Sequence, residues 1–297
     1  MFSELNIPIS NIAHSEAVER ELQLNMLRLD QIHPEISGNK WFKLKYNLES
    51  FKKGNYRGIL TFGGAYSNHL AATAYTCKKL NIPCAAIVRG DELKTDSNDT
   101  LNFLSQCGMQ LQFFARSDYK NKQLLAKTGA INFPNFFQIP DGGSNAEGYK
   151  GCKEIAHHIP NDYNFVVCDC GTGVTSSSIL SVLPNNQKLI VFSVLKGASY
   201  LKDEILSFEN NRFKKEQFVF NDDFHFGGFG IYNESILNFI KQFYREFNIK
   251  LEQVYSAKML YGLLELIKQN YFPKSSKILV IHSGGIQGAK HLNLYPN

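Results

Sequence analysis

The sequence has no CxxC pair among its six cysteines (Cys77, Cys84, Cys107, Cys152, Cys168 and Cys170), and their spacing lacks the density of a disulfide framework. This excludes a small disulfide-stapled scaffold, and a reduced compartment is expected. No zinc motif brings Cys168 and Cys170 together with His157 and His158, so buried structural cysteines and no bound metal are expected. Long apolar runs are also missing. The longest, such as Leu189–Leu195, fall far short of the roughly 18 residues that a membrane helix needs. Met1 is not followed by a basic-then-apolar leader, so a cytoplasmic protein is expected. Charge of one sign is not in excess: 32 Lys and Arg against 27 Asp and Glu leave +5, spread along 297 residues. Such a balance argues against a nucleic-acid partner but tolerates an anionic cofactor or substrate. No GxxxxGK[ST] occurs, which excludes a P-loop nucleotide site, and there is no internal repeat.

What the chain does contain is alternation. Apolar runs at 58–62, 83–88, 110–114, 136–139, 165–170, 188–194 and 278–282 read as strands buried on both faces. Helical patterns at 67–80, 97–107, 120–129, 175–183, 233–247 and 256–270 fall between or after them. This order predicts an α/β protein with parallel sheets covered by helices. Seams near Asn161 and within 40–54 suggest two units: residues 54–157 as a smaller α/β domain, and 1–53 joined with 158–297 as a larger one. The polar, aromatic stretch 209–223 has no clear period and reads as an irregular excursion.

In open α/β sheets, ligands bind where strands lead into helices. Three such junctions are rich in small residues: Gly63-Gly64-Ala65-Tyr66-Ser67-Asn68-His69, Gly171-Thr172-Gly173-Val174-Thr175-Ser176 and His282-Ser283-Gly284-Gly285. Glycines allow close backbone approach, and helix N-termini present N–H groups to anions. The second junction is also compatible with a plain turn capped by Thr175. It is no full dinucleotide fingerprint, because Ser176 stands where GxGxxG requires its third glycine. Ser37-Gly38-Asn39-Lys40 opens a helical run. Taken alone, Lys40 could be a surface lysine, and Trp41 beside it reads as a packing residue. Near an anion loop, Lys40 gains meaning as an amine nucleophile.

Taken together, Asn39-Lys40 with Lys43-Leu44, the 63–69 loop, Gly171-Thr172-Gly173, Tyr255-Ser256-Ala257-Lys258 and His282-Ser283-Gly284-Gly285 resemble the 1-aminocyclopropane-1-carboxylate deaminase/D-cysteine desulfhydrase family. The motifs occur in the family's order over most of the chain. The resemblance implies the fold type II architecture of pyridoxal 5'-phosphate enzymes, with two open parallel-sheet domains. It implies that Lys40 carries the cofactor as a Schiff base and that Asn68 bonds its ring hydroxyl oxygen. Gly171, Thr172, Gly173, Val174 and Thr175 would hold its phosphate. Ser67 and Tyr255 would face the substrate, with Ser67 and Lys40 as candidates for proton transfer. A homodimer is implied as well.

Three positions depart from the family pattern: Val174 and Ala257 replace glycines, and Phe229 stands where a second tyrosine is common. Ser256 follows Tyr255, where the deaminase branch has a glutamate. Ser283 is therefore the expected partner of the cofactor's ring nitrogen, donating its hydroxyl to an unprotonated ring. The expected activity is β-elimination from a small amino acid, of the D-cysteine desulfhydrase kind, to pyruvate, sulfide and ammonia. Ring opening of aminocyclopropane carboxylate to 2-oxobutyrate and ammonia is the alternative. A non-catalytic α/β protein that binds a small molecule is a third reading, against which Lys40, Ser67 and Asn68 speak.

Overall fold

The computed structural model describes residues 5–208 and 211–295. Its ten strands are β1 (Ile9–Asn11), β2 (Gln23–Leu27), β3 (Gly58–Gly64), β4 (Cys84–Arg89), β5 (Gln110–Phe114), β6 (Phe136–Ile139), β7 (Phe165–Cys170), β8 (Lys188–Ser193), β9 (Phe218–Asn221) and β10 (Lys277–Ile281). They divide between two compact units. One joins the segment up to Ile32 with the chain from Cys152 onward, and the other spans His33–Gly151.

The smaller unit holds a four-stranded, all-parallel sheet in the order β5-β4-β3-β6. Parallel strands need crossovers, and the helices Asn68–Leu80, Asp99–Gln106 and Lys122–Asn132 supply them. Its core is built on Leu60, Phe62, Ala85, Ile87 and Leu125. Gly129 lets the helix Lys122–Asn132 lie close to the sheet, since a methyl carbon there would stand 2.5 Å from Leu60 Cδ2.

The larger unit holds six strands in the order β1-β2-β10-β7-β8-β9. All pairs are parallel except β1 with β2. Its core joins Met26, Val167, Ile190, Ile278 and Val280 from the sheet to Ile236, Ile240 and Phe243 of the helix Glu234–Phe247. That helix is bounded as its sequence dictates. Asn233 accepts from the Ile236 N–H at its start, and Asn248 takes a left-handed φ of 52° at its end.

The strands expected from apolar runs all form, whereas β1, β2 and β9 went unread. β1 has three residues on the sheet edge. β2 is interrupted by Asn25, whose amide donates to the Tyr163 hydroxyl at 2.9 Å. β9 falls in the stretch expected to be irregular; Glu209 and Asn210 lie outside the described residues, and Asn211–Gln217 is a run of tight 3-10 turns.

The unit boundary also differs from the expected one, mainly in the helix Asn39–Lys53, which groups with the smaller unit. Side-chain bonds hold it there: Lys43 Nζ donates to Gly142 O at 2.8 Å, and Asn145 Nδ2 to Asn47 Oδ1 at 2.7 Å. A side chain at Gly151 would collide with the Phe42 carbonyl, at 1.9 Å. Among the described residues, no helix is long and apolar enough to cross a membrane.

Candidate functional site

The expected site residues fall into two groups, one in each unit. In the smaller unit, Gly38 has φ 68° and ψ −145°, a conformation open to glycine, and it caps the helix Asn39–Lys53. The next two residues are Asn39, buried, and Lys40, half-buried. Lys40 Nζ donates to Asn39 Oδ1 at 2.6 Å, so the amine is held by a neutral oxygen. Trp41 is buried and packs as expected, its ring centroid 6.0 Å from that of His33.

The 63–69 loop lies in the same unit. Ser67 is the N-cap of the helix Asn68–Leu80, its Oγ accepting from the Leu70 N–H at 3.2 Å. Gly63 makes room for it, because a methyl carbon there would stand 2.8 Å from Ser67 Oγ. The hydroxyl hydrogen of Ser67 is not used by the cap. Asn68, the first residue of that helix, is half-buried.

His69 is fully enclosed, with Nε2 2.8 Å from Thr61 Oγ1. Thr61 gives its single hydrogen to Ile139 O at 2.9 Å, so it must accept from His69. Nε2 therefore carries the proton, and Nδ1 is a bare acceptor without a hydrogen-bond partner. Burial, and then the charges of Lys40 and Lys43, push His69 well below the usual histidine range, so the ring is neutral.

In the larger unit, β7 leads into Gly171, Thr172 and Gly173, and the helix Val174–Val182 begins directly after. Gly173 rather than Thr175 is the N-cap, with φ 78°, no side-chain cap bond, and no acidic residue in the first turn. Thr175 is buried, its hydroxyl 3.8 Å from Cys152 Sγ. Ser177 and Ser178 turn their hydroxyls back to Gly173 O and Val174 O inside the helix. The outward face of this junction is thus backbone N–H and the exposed Thr172, a donor set that suits a phosphate.

Tyr255 stands beside that junction: a methyl carbon on Gly171 would lie 3.0 Å from its ring and 3.2 Å from its hydroxyl oxygen. Phe229 meets Tyr255 edge-on, with ring centroids 5.9 Å apart at 69°. Lys258 holds the Phe229 loop by donating to His225 O at 2.9 Å and Gly228 O at 2.8 Å. Burial lowers the Lys258 pKa to about 8 despite the opposing charge of Glu252.

Ser283 follows β10, and its Oγ donates to Asp169 Oδ2 at 2.5 Å. The hydroxyl hydrogen expected to be offered to a ring nitrogen is therefore taken by a carboxylate. Cys168 and Cys170, on either side of Asp169, are buried and not disulfide-bonded. Among the described residues no cluster of His, Cys, Asp or Glu could hold a metal ion.

Tyr255 is braced from below by Glu252. One carboxylate oxygen accepts the N–H groups of Tyr255 at 2.6 Å and Ser256 at 2.5 Å, and the other accepts Val254 N–H at 2.8 Å. Burial favours the neutral acid, these three bonds oppose it, and burial wins, with the nearby Asp169 adding to the rise. The Glu252 pKa goes from 4.5 to about 7. A raised carboxyl pKa stabilises the fold below the unfolded value and loses that contribution as pH rises through the folded value. Glu252 is expected to destabilise the larger unit by about 3 kcal/mol between pH 4.5 and 8. Glu252→Gln keeps an acceptor for Tyr255 and Ser256 and does not titrate. Thermal melts of both proteins from pH 5 to 8 should converge at low pH and separate at high pH, with the variant relatively more stable. Parallel curves would refute this role.

Asn39, His69 and Lys258 stood in the quoted motifs without an assigned role, and Asp169 and Glu252 were not named at all. Asp169 did carry a signal: it is the single charge in the apolar strand Phe-Val-Val-Cys-Asp-Cys, where an isolated acid needs a partner.

Comparison with known proteins places the chain in a family. Residues 6–284 match the family model "Pyridoxal-phosphate dependent enzyme". An Arabidopsis thaliana protein, "Bifunctional D-cysteine desulfhydrase/1-aminocyclopropane-1-carboxylate deaminase, mitochondrial", is 29% identical over 282 residues, covering 86% of this chain and 70% of that one. The fold matches the crystal structure of an ACC deaminase homologue with a TM-score of 0.82 at 22% identity, covering 99% of this chain and 95% of that one. It also matches O-ureido-L-serine synthase, at a TM-score of 0.71 and 14% identity, over 97% and 92% of the two chains. With an amine at Lys40 and an acid-free helix N-terminus after β7, the residues present fit the cofactor that the family model names. The chain belongs to the pyridoxal-phosphate-dependent enzyme family.

Proposed function

We propose that the chain catalyses β-elimination from a small thiol amino acid of the D-cysteine type, with water, to pyruvate, hydrogen sulfide and ammonia. The observation that carries this reading is the Tyr255–Phe229 pair on the Gly171 backbone, which holds one phenolic hydroxyl where two would be needed for harder chemistry. A thiolate leaves readily, because the thiol's ordinary pKa is about 8.5, so elimination needs a base at the α-carbon and only a weak acid at sulfur. Ring opening of aminocyclopropane carboxylate has no α-proton to remove, and it must protonate a departing carbon. That reaction asks for an additional acid or nucleophile, and Phe229 has none to offer.

In this reading Lys40 binds pyridoxal phosphate covalently, Asn68 meets its ring hydroxyl oxygen, and Gly171–Thr175 hold its phosphate. When bound, the cofactor supplies an electron sink for the negative charge that develops at the substrate α-carbon. The Lys40 amine, once exchanged for the substrate amine, is a base for the α-proton, and Asn39 Oδ1 keeps it oriented. Ser67 offers its unused hydroxyl hydrogen at the start of a helix, where N–H groups also favour the substrate carboxylate. Tyr255 is the acid or hydrogen-bond donor toward the leaving sulfur. Six buried cysteines outside any disulfide support action in a reducing cytoplasm, the spread charge of +5 speaks against a nucleic-acid partner, and the family resemblance supports a homodimer.

The test is a side-by-side assay at matched enzyme and substrate concentrations. Pyruvate with sulfide from D-cysteine should form about 10²-fold faster than 2-oxobutyrate from aminocyclopropane carboxylate, the scale set by one lost acid–base group. Faster 2-oxobutyrate would favour the deaminase reading, which the Arabidopsis relative's double name keeps open. Purified protein that takes up no pyridoxal phosphate and turns over neither compound would favour the non-catalytic reading.

A further inference from the structure

Asp169 lies at the carboxyl end of β7, two residues before Gly171, and is 6% exposed. Ser283 lies just past the carboxyl end of β10, the neighbouring strand. The two strand ends meet through the 2.5 Å bond from Ser283 Oγ to Asp169 Oδ2, a length typical of a hydroxyl bound to an ionised carboxylate. A hydroxyl has one hydrogen and two lone pairs. With its hydrogen fixed on Asp169, Ser283 presents acceptor capacity only. Glu252, the other buried carboxyl here, is the one driven toward its neutral form, partly by the charge of Asp169.

We infer that Asp169 is a positioning residue that locks the Ser283 hydroxyl as an acceptor, so that a cofactor ring nitrogen held against Ser283 is protonated. The inference rests on the proposed function, in which the Gly171–Thr175 junction would hold the phosphate of pyridoxal phosphate and Ser283, on the neighbouring strand end, would meet its ring nitrogen. An unprotonated nitrogen would set its lone pair against those of Ser283. A protonated one donates to Ser283, and its positive charge is balanced through that hydroxyl by Asp169. The ring is then a stronger electron sink than the neutral pairing first expected for Ser283, which favours carbanion chemistry generally and leaves the choice of substrate to Tyr255 and Phe229.

The test uses holoenzyme loaded with pyridoxal phosphate labelled with nitrogen-15 in the ring, read by NMR at neutral pH. The wild type should show the shift of a protonated ring nitrogen. Asp169→Asn, which removes the charge at constant size, should lose that signal in favour of the unprotonated one, and Ser283→Ala should do the same. An unprotonated nitrogen in the wild type would overturn the inference while leaving the proposed function standing. So would an Asp169→Asn spectrum identical to that of the wild type, because a merely structural Asp169 would not move the shift. Absence of labelled cofactor from Lys40 in the wild type would overturn the proposed function and the inference together. The wild-type shift and Ser283→Ala decide the matter even if Asp169→Asn fails to fold.

Discussion

Lys40→Ala is expected to abolish covalent cofactor attachment and to lower turnover by about 10³-fold or more, since one residue supplies both the attachment point and the α-proton base. Two other lysines are buried, Lys43 and Lys258, and the structure separates them from Lys40 by their partners. Lys43 donates to Gly142 O, and Lys258 donates to two backbone carbonyls. Each is therefore a cation that secures a loop. Lys40 is half-buried at the second position of a helix, and its Nζ donates to the side-chain amide oxygen of Asn39 rather than securing a loop carbonyl. Alanine is well tolerated there, so the melting temperature of the apoprotein should change little. Borohydride reduction of the holoenzyme followed by peptide mapping should place the pyridoxyl group on Lys40. Recovery on Lys43 or Lys258, or retained absorbance of a Schiff base in Lys40→Ala, would refute the assignment.

Ser67→Ala is expected to cut turnover by about 10²-fold and to destabilise the smaller unit by about 1 kcal/mol, because one oxygen serves both roles. The cap is the bond from Leu70 N–H to Ser67 Oγ, and the proton-transfer role uses the hydroxyl hydrogen that the cap leaves over. Ser67→Asn separates the two. An asparagine oxygen caps a helix as well as serine does, but it brings no hydroxyl. Recovered stability with turnover still low would establish the proton-transfer role, read by melting temperature and by steady-state kinetics. Full turnover in both variants would leave Ser67 as a cap only.

Much of the architecture was legible in the sequence for a simple reason. Strands buried on both faces are predominantly apolar, as β3, β4, β7, β8 and β10 are, so their runs stand out against polar helix faces. The junctions were legible too, because close approach and left-handed backbone select glycine, as at Gly38 and Gly173. The edge strands of the six-stranded sheet left no such mark. β1 and β9 bury only part of their side chains, and their pairing comes from the neighbour's free edge.

The local chemistry of Lys40, Ser67 and the Gly171–Thr175 junction was determined by the sequence itself, because amines, hydroxyls and glycine turns declare their capacity in residue type and order. Partnership was decided only by the tertiary structure. Asp169 and Ser283 are 114 residues apart along the chain and meet because β7 and β10 are adjacent in the sheet. Thr61 and Ile139 belong to β3 and β6, and their bond sets which nitrogen of His69 carries the proton. A hydroxyl or an imidazole can give or accept a proton until its neighbours are known. Strand order, which brings those neighbours into range, is a property of the assembled sheets rather than of any local pattern.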